Sequence, residues 1–243
     1  SLVAGVAHEL NTPIGNCLMM ASDLQEKTDS VDRKMHRQQL GLDDLKGFLL
    51  DARDASSLIM HGLTSAADLV NSFKQVAVDR TTAQRRVFDL AQTSHEIVAT
   101  MKNQIRARGH TISLDIPDNI SMTSYPGPFG QVMANFINNA LHHGFDGRSN
   151  GNMTLSARKE VVGRVMIRFS DNGTGISEQN LARIFDPFFS TKIGQGGSGL
   201  GLSISYNIVT SLLHGSINAS SQPGQGTVFT LDLPLIAPET LKD

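Results

Sequence analysis

The feature that most constrains the fold of this 243-residue chain is a change in the spacing of its apolar residues near residue 85. Up to about residue 80 they recur every three and four positions, which is the repeat of a helix that buries one narrow stripe. The first stripe consists of Val3, Ala7, Leu10, Ile14, Cys17, Ala21 and Leu24. The second consists of Leu45, Phe48, Ala52, Ala55, Ile59, Leu63, Ala66, Leu69, Phe73 and Val76. The spacing predicts two long helices that form an antiparallel hairpin.

The stretch between the two stripes, residues 25–44, is polar and contains Gly41, a composition typical of a loop or of frayed helix ends. Because each helix has one stripe, a single hairpin would leave much apolar surface in water. We therefore expect residues 1–80 to form a two-fold homodimer, a four-helix bundle. The alternative is a monomeric hairpin that packs on a second domain.

From residue 83 onward short alternating segments follow helical ones. The predicted strands are RVFDL, TISLDIP, two runs on either side of Gly163, SINAS and TVFTLDLP, and the predicted helices are 91–108, 126–144 and 200–213. This order indicates an α+β fold, with helices on one face of a mixed, mostly antiparallel sheet. We predict a helical domain at 1–82 and a two-layer sandwich at 83–243.

Composition excludes several classes of protein. With 21 basic and 23 acidic residues the formal charge is −2, which does not favour electrostatic binding to nucleic acid or to an anionic membrane. The single cysteine, Cys17, excludes an internal disulfide framework and a multi-cysteine metal site. No apolar run approaches the 18 residues of a membrane span. Because the chain does not begin with Met, we expect it to be part of a longer protein, with any membrane attachment upstream.

The motif HELNTP lies in the first helix and contains His8, Glu9 and Thr12. His8 falls one step outside the apolar stripe, so its imidazole is expected to face water. A histidine with an ordinary pKa is mostly neutral at pH 7 and therefore nucleophilic. Glu9 can accept the hydrogen of one ring nitrogen and leave the other as the nucleophile. The unbroken stripe on both sides of Pro13 favours a continuous helix that kinks there.

The motif NFINNALHH places Asn135 and Asn139 four residues apart, on one face of a helix. A side-chain amide offers a neutral oxygen that can bind Mg²⁺ and leaves room for phosphate oxygens. Asn138 lies off that face.

Two further motifs are rich in glycine. In DNGTGIS, Asp171 follows a strand and can accept a hydrogen bond from an exocyclic amine, and Gly173 and Gly175 allow the backbone to approach a flat ligand. FDPFFSTKIGQGGSGLGLSIS has five glycines between residues 194 and 201, with backbone amides available for phosphates, and Lys192 adds a charge. A dinucleotide-binding fold is excluded because the strand before the glycines and the acidic residue after them are absent. A P-loop is excluded because no glycine is followed by Lys and then Ser or Thr at the required spacing.

Together and in this order, the motifs resemble the core of a sensor histidine kinase over essentially the whole chain. HELNTP is similar to the phosphoacceptor box, NFINNA to the asparagine box, DNGTGI and GSGLGLS to the two glycine boxes and FDPFF to the phenylalanine box. The closing GQGTVFTLDLP resembles the family's glycine–threonine segment. The resemblance implies a dimerising phosphotransfer hairpin and an ATP-binding sandwich shared with gyrase-type ATPases.

The resemblance also implies that ATP phosphorylates His8, with Glu9 assisting, and that the group passes to an aspartate of a response-regulator receiver domain. Thr12 would orient water for dephosphorylation of that partner. Asn139 and Asn135 would hold Mg²⁺ and phosphates. The other implied nucleotide-binding residues are Asp171, Gly173, Gly175, Lys192, Gly197, Gly199, Leu200, Gly201 and Thr227. The resemblance places this part of the protein in the cytoplasm, with no direct membrane contact.

Two nucleotide-site positions differ from many relatives. His142 stands where relatives carry Lys or Arg, so the charge offered to the phosphates would depend on pH. His143 stands where an aromatic ring often covers the adenine, and its imidazole is smaller. The lid at 191–198 is short.

Two other functions remain open at this point. A pseudokinase would sense nucleotide or bind a partner without phosphoryl transfer. A gyrase-like ATPase would hydrolyse ATP for conformational work, although the helix with HELNTP disfavours it.

Overall fold

The computed structural model describes residues 2–82, 84–160, 163–191 and 199–239. The side chains of 2–9, 65, 68–69 and 71–82 lie outside that description. The chain divides into two compact units, one centred on residues 1–77 and the other on 78–189 with 199–243.

The first unit is the antiparallel helical hairpin that the stripes predict. Helix α1 spans Leu2–His36 and helix α2 spans Leu42–Thr82. The Sγ of Cys17 lies 3.4 Å from the carbonyl oxygen of Ile59, and further along the pair Lys27 forms a salt bridge with Asp51 at 2.9 Å. Helix α1 continues through Pro13, as the unbroken stripe predicts.

Of the two alternatives for residues 25–44, a loop or frayed helix ends, the loop was wrong for most of the stretch. Only residues 37–41 separate the helices, because α1 ends at His36 and α2 begins at Leu42. Ion pairs contribute modest support to the helices in this polar segment, where the stripe is absent. Lys27 bonds to Asp23, four residues earlier, at 3.1 Å, and Lys34 bonds to Asp44 across the hairpin at 2.7 Å.

The second unit is the predicted α+β sandwich, with a five-stranded sheet in the order β2-β4-β5-β7-β6. Strand β2 is parallel to β4, and the other pairs are antiparallel. The five strands are β2 Thr111–Asp115, β4 Asn152–Glu160, β5 Arg164–Asp171, β6 Ser216–Gln222 and β7 Gly226–Pro234. A separate antiparallel pair consists of β1 Arg86–Asp89 and β3 Ser121–Ser124. Strand β3 is short and polar, and the sequence pattern did not predict it.

The helices of the sandwich are α3 Leu90–Ala107, α4 Pro126–Asn139, the short α5 Glu178–Leu181 and α6 Gly201–Asn207. Helices α4 and α6 each continue into a wider π-helical turn, at Ala140–Gly144 and Ile208–Leu212. Phe136 of α4 is fully buried and stacks on Phe229 of β7, with ring centroids 4.4 Å apart. This contact packs α4 on the sheet and brings its C-terminal end to the end of β5.

Over the residues with a described structure, none of the helices is both long enough and apolar enough to cross a membrane.

Candidate active site

The centre of the site is Asp171, the last residue of β5, which is only 9% exposed. Its Oδ1 accepts a hydrogen bond from the backbone N–H of Gly173 at 2.8 Å. Burial raises the pKa of Asp171, while hydrogen bonds from the backbones of Gly173 and Thr227 oppose the rise. The carboxyl group is therefore a buried hydrogen-bond acceptor that the backbone holds in place. A donor group on a ligand would give it a further hydrogen bond and stabilise it.

Three glycines lie at the end of β5, where a side chain would not fit. A methyl group on Gly173 would overlap the carbonyl oxygen of Gly144 and lie 2.7 Å from Oδ1 of Asp171. Gly175 has φ +70°, and a methyl group there would overlap the carbonyl oxygen of Gln222. Gly226, whose φ is +84°, lies against the carbonyl oxygen of Asp171. The backbone of these glycines therefore packs closely around the end of β5.

The end of α4 lies beside the same acid. The carbonyl oxygen of Gly144 accepts from the backbone N–H of Thr174 at 2.8 Å. Asn139 is the last residue of α4, just before the π-helical turn. Its Nδ2 is buried and has no hydrogen-bond partner within the described part of the chain. A buried amide in this state normally has a partner, so the site is chemically incomplete without a polar ligand.

Asn135, one turn earlier on α4, is already engaged. Its Nδ2 donates to the carbonyl oxygen of Gly201 at 2.9 Å and to the Oγ of Ser205 at 3.1 Å. Asn138 lies off this face, as expected, and accepts from Gln104 of α3 at 3.3 Å. The structure thus joins the asparagine motif to both glycine motifs.

The two histidines after Asn139 lie in the π-helical turn. His142 is exposed, and its Nε2 is 3.5 Å from the guanidinium of Arg108, which also donates to the carbonyl oxygen of Leu141 at 2.9 Å. The carbonyl oxygen of half-buried His143 accepts from the hydroxyl of Thr174 at 3.4 Å. Sequence reasoning missed Arg108 because it comes from the end of α3, 34 residues before His142.

The second glycine motif is described in part. Lys192 and Gly197 lie outside the described residues. Gly199 has φ +64°, and a methyl group on it would overlap the backbone of Phe188. Leu200 is buried, and Gly201 opens α6. These glycines allow close contact between the phenylalanine motif and the start of α6.

Thr227 is buried next to Asp171 and belongs to a network that sequence reasoning also missed. Its Oγ1 lies 3.1 Å from the Oγ of Ser221, and that hydroxyl donates to the carbonyl oxygen of Gly226 at 2.6 Å. Ser221 also accepts from the backbone N–H of Ile176 at 2.8 Å. It therefore ties β6 and β7 to the loop after Asp171.

The proposed phosphoacceptor segment is part of α1. The side chains of His8 and Glu9 lie outside the described residues, so their predicted roles stay predictions. Thr12 is exposed on the same helix.

Comparison with known proteins shows what the two units are similar to. Residues 125–237 match the family described as "Histidine kinase-, DNA gyrase B-, and HSP90-like ATPase". The sensor histidine kinase ZraS of Salmonella typhi is 31% identical over 97% of this chain and 46% of its own length. The sensor-like histidine kinase SenX3 of Mycolicibacterium smegmatis is 28% identical over 96% of this chain and 56% of its own length. The chain thus spans about half the length of these relatives.

Among solved structures, the histidine kinase ThkA in complex with the response regulator protein TrrA superimposes with a TM-score of 0.66. The match has 19% sequence identity and covers 96% of this chain and 60% of that one, so it supports the fold alone.

The sandwich is therefore an ATP-binding domain of the class shared by histidine kinases, gyrase B and HSP90. With the helical hairpin included, the chain is similar to sensor histidine kinases over nearly its whole length.

Proposed function

We propose that this chain transfers the γ-phosphoryl group of ATP to His8 and then to an aspartate in the receiver domain of a response regulator. In this proposal residues 1–82 dimerise and carry the phosphohistidine, and residues 83–243 bind ATP. The observation that carries it is the buried carboxyl group of Asp171, with the backbone of Gly173 packed against it. Similarity to ZraS over 97% of the chain, hairpin included, supports the assignment.

Each predicted site residue of the sandwich is assigned to one part of the nucleotide. Asp171 accepts from the exocyclic amine of adenine, with Thr227 beside it and Gly173 and Gly175 under the base. His143 lies near the base. The residues proposed at the phosphates are Asn139, His142, Lys192, Gly197, Gly199, Leu200 and Gly201.

The unpartnered Nδ2 of Asn139 fits a site that binds a polar group. The oxygen and nitrogen of the amide can exchange places by rotation, so its oxygen is available to a hard cation. We propose Asn139 as a Mg²⁺ ligand, and the ion would offset the negative charge of the phosphates. Asn135, which the sequence offers as a second ligand, already donates from its Nδ2 to Gly201 and Ser205.

The transfer itself uses residues of α1. One ring nitrogen of His8 forms a bond to the γ-phosphorus, and the bond from that phosphorus to the bridging oxygen breaks, which releases ADP. The other ring nitrogen then loses its proton to Glu9. Thr12 would orient water when the phosphorylated partner is dephosphorylated.

Exposed apolar side chains on the hairpin support a homodimer through residues 1–80. These side chains include Leu18, Met19, Leu49, Leu50, Leu58 and Met60. Leu18 is 67% exposed, and Leu50 is 61% exposed. Apolar surface on this scale usually marks an interface, and a second hairpin would cover it in a four-helix bundle. The response-regulator partner is proposed from the kinase relatives.

Incubation of the chain with γ-labelled ATP and Mg²⁺ tests the proposal. We expect a protein-bound label that is lost in acid and stable in base, absent from His8→Gln and retained in His36→Gln. His36 is a suitable control because it is an exposed histidine on the same helix, 3.5 Å from Asp32. An unlabelled wild type that still binds ADP would favour a pseudokinase. Release of phosphate without phosphohistidine would favour a gyrase-like ATPase.

A further inference from the structure

Helices α4 and α6 are joined by a closed hydrogen-bond network of three residues. The Nδ2 of Asn135 donates to the carbonyl oxygen of Gly201 at 2.9 Å and to the Oγ of Ser205 at 3.1 Å. The hydroxyl of Ser205 donates to the same carbonyl oxygen, also at 2.9 Å. Ser205 is completely buried, so water does not compete for these bonds. Each of the three groups therefore depends on the other two.

This network decides which way the amide of Asn135 points. A backbone carbonyl only accepts hydrogen bonds, so the Asn135 atom that faces Gly201 has to be nitrogen. Rotation of the amide would place two acceptors against each other and leave buried Ser205 without its donor. Asn139 differs, because its buried nitrogen has no partner within the described part of the chain. Two asparagines one helical turn apart thus differ in their hydrogen bonds: the amide nitrogen of Asn135 has partners within the described residues, and that of Asn139 has none there.

The bonds of Asn135 also have a mechanical consequence. Gly201 is the first residue of α6 and follows the second glycine motif, whereas Asn135 lies one turn from Asn139 on α4. A methyl group on Gly201 would lie 3.7 Å from the amide carbon of Asn135, which is ordinary packing distance. The first turn of α6 therefore packs directly on the Asn135 amide, and the bonds fix its position relative to α4.

We propose that Asn135 is a positioning residue that couples the first turn of α6 to α4 through Gly201 and Ser205, and that it does not bind the metal. The inference rests on the proposed nucleotide site in one respect, because it takes the segments so coupled to be the two sides of that site. Its physical core, coupling between Asn135 and Ser205, holds in the chain without nucleotide.

A double-mutant cycle with Asn135→Ala and Ser205→Ala tests the coupling. The first readout is the free energy of unfolding without nucleotide. The second is the dissociation constant of ADP, measured with Mg²⁺ and again with EDTA. We expect each single variant to weaken ADP binding by about three- to tenfold under both conditions, the range for a lost neutral hydrogen bond. The double variant should lose clearly less than the two single losses combined.

Two further variants serve as references. Asn138→Ala removes a neighbouring asparagine that bonds only to Gln104 in the described contacts, and it should leave ADP affinity unchanged. Asn139→Ala should weaken ADP binding with Mg²⁺ and have little effect in EDTA.

The proposal is overturned if Asn135→Ala weakens binding only with Mg²⁺ while Ser205→Ala has no effect, because Asn135 would then behave as a metal ligand. Additive losses in both readouts would overturn it as well. If Asn135→Ala does not fold, hydrogen exchange in Ser205→Ala decides: faster exchange of the α6 amides supports the coupling, and unchanged exchange refutes it. A wild type that fails to bind ADP would refute the proposed function, and the unfolding cycle would still test the coupling.

Discussion

The two units of this chain bury their apolar side chains to very different degrees. In the sandwich, Val132, Phe136 and Val165 are completely buried. In the hairpin, Leu18 and Met60 are 67% and 64% exposed, although they lie on regular helices. A sheet covered by helices completes its own core, whereas two helices with one narrow stripe each cannot. The sandwich thus buries its large apolar side chains within itself, whereas the hairpin leaves several of its own exposed.

The largest effect should come from a cavity in the complete core. Phe136→Ala removes a fully buried ring that stacks on Phe229 and lies 5.7 Å from Phe169. We expect it to lower the free energy of unfolding of the sandwich by about 3–5 kcal/mol. Hydrogen exchange of the β5 and β7 amides in the whole chain measures this loss.

Leu50→Ala is the matched control on the hairpin. Because Leu50 is 61% exposed, its removal should leave exchange in the sandwich unchanged. Similar losses in the two variants would break the contrast between the units.

The next largest effect should be on the affinity of the sandwich for nucleotide. Asp171→Asn keeps an oxygen that can accept from Gly173 and removes the negative charge that would face an exocyclic amine. A hydrogen bond to a charged group contributes about 1.5–3 kcal/mol, so we expect ADP to bind roughly 10- to 100-fold more weakly. Calorimetric titration with ADP measures the affinity. Unchanged affinity in this variant would remove Asp171 from the adenine site.

The sandwich site could be predicted from sequence where its parts are local. Asp171, Gly173 and Gly175 lie within five residues, and the hydrogen bond from Gly173 to Asp171 is a property of that turn. Ser221 and Arg108 were missed because they reach the site through strand pairing and helix packing, which no local pattern encodes. Gly226 lies in the closing motif GQGTVFTLDLP, and only the pairing of β7 with β5 places it against Asp171.

The hairpin illustrates the opposite error. Its stripes correctly predict two antiparallel helices, but the polar segment between them looked like a loop because it lacks apolar periodicity. Ion pairs such as Lys27 with Asp51 support a helix there, and they form only once the hairpin brings the partners together. The spacing of apolar residues gives no information about these ion pairs.

A third prediction tests directly whether two hairpins associate, as proposed. If two hairpins associate, mass action stabilises the hairpin by about 1.4 kcal/mol per dimer for each tenfold rise in chain concentration. The sandwich should show no such dependence. Thermal unfolding followed by helical circular dichroism, over a hundredfold range of concentration, measures it. A midpoint independent of concentration would favour the monomeric alternative.

The smallest effect concerns acid stability, and it should be confined to the sandwich. His110 is 5% exposed, its Nδ1 accepts from the backbone N–H of Gly151 at 3.0 Å, and its ring contacts Phe145 at 4.5 Å. Burial, followed by the charge of Arg108, lowers the pKa of His110 below its ordinary value of 6.5. A protonated ring could no longer accept from Gly151.

The sign of the effect follows from proton binding. Above pH 6.5 both the folded and the unfolded chain hold His110 neutral, so the stability of the sandwich is at its full value. As the pH falls below 6.5 the unfolded chain binds a proton that the folded chain resists, and stability decreases until the lower folded pKa is passed. His110→Asn keeps an acceptor near the position of Nδ1 and does not titrate. Exchange of the β4 and β5 amides between pH 7 and pH 5 should therefore show a smaller loss of stability in the variant than in the wild type. Equal losses would mean that His110 does not control the acid response.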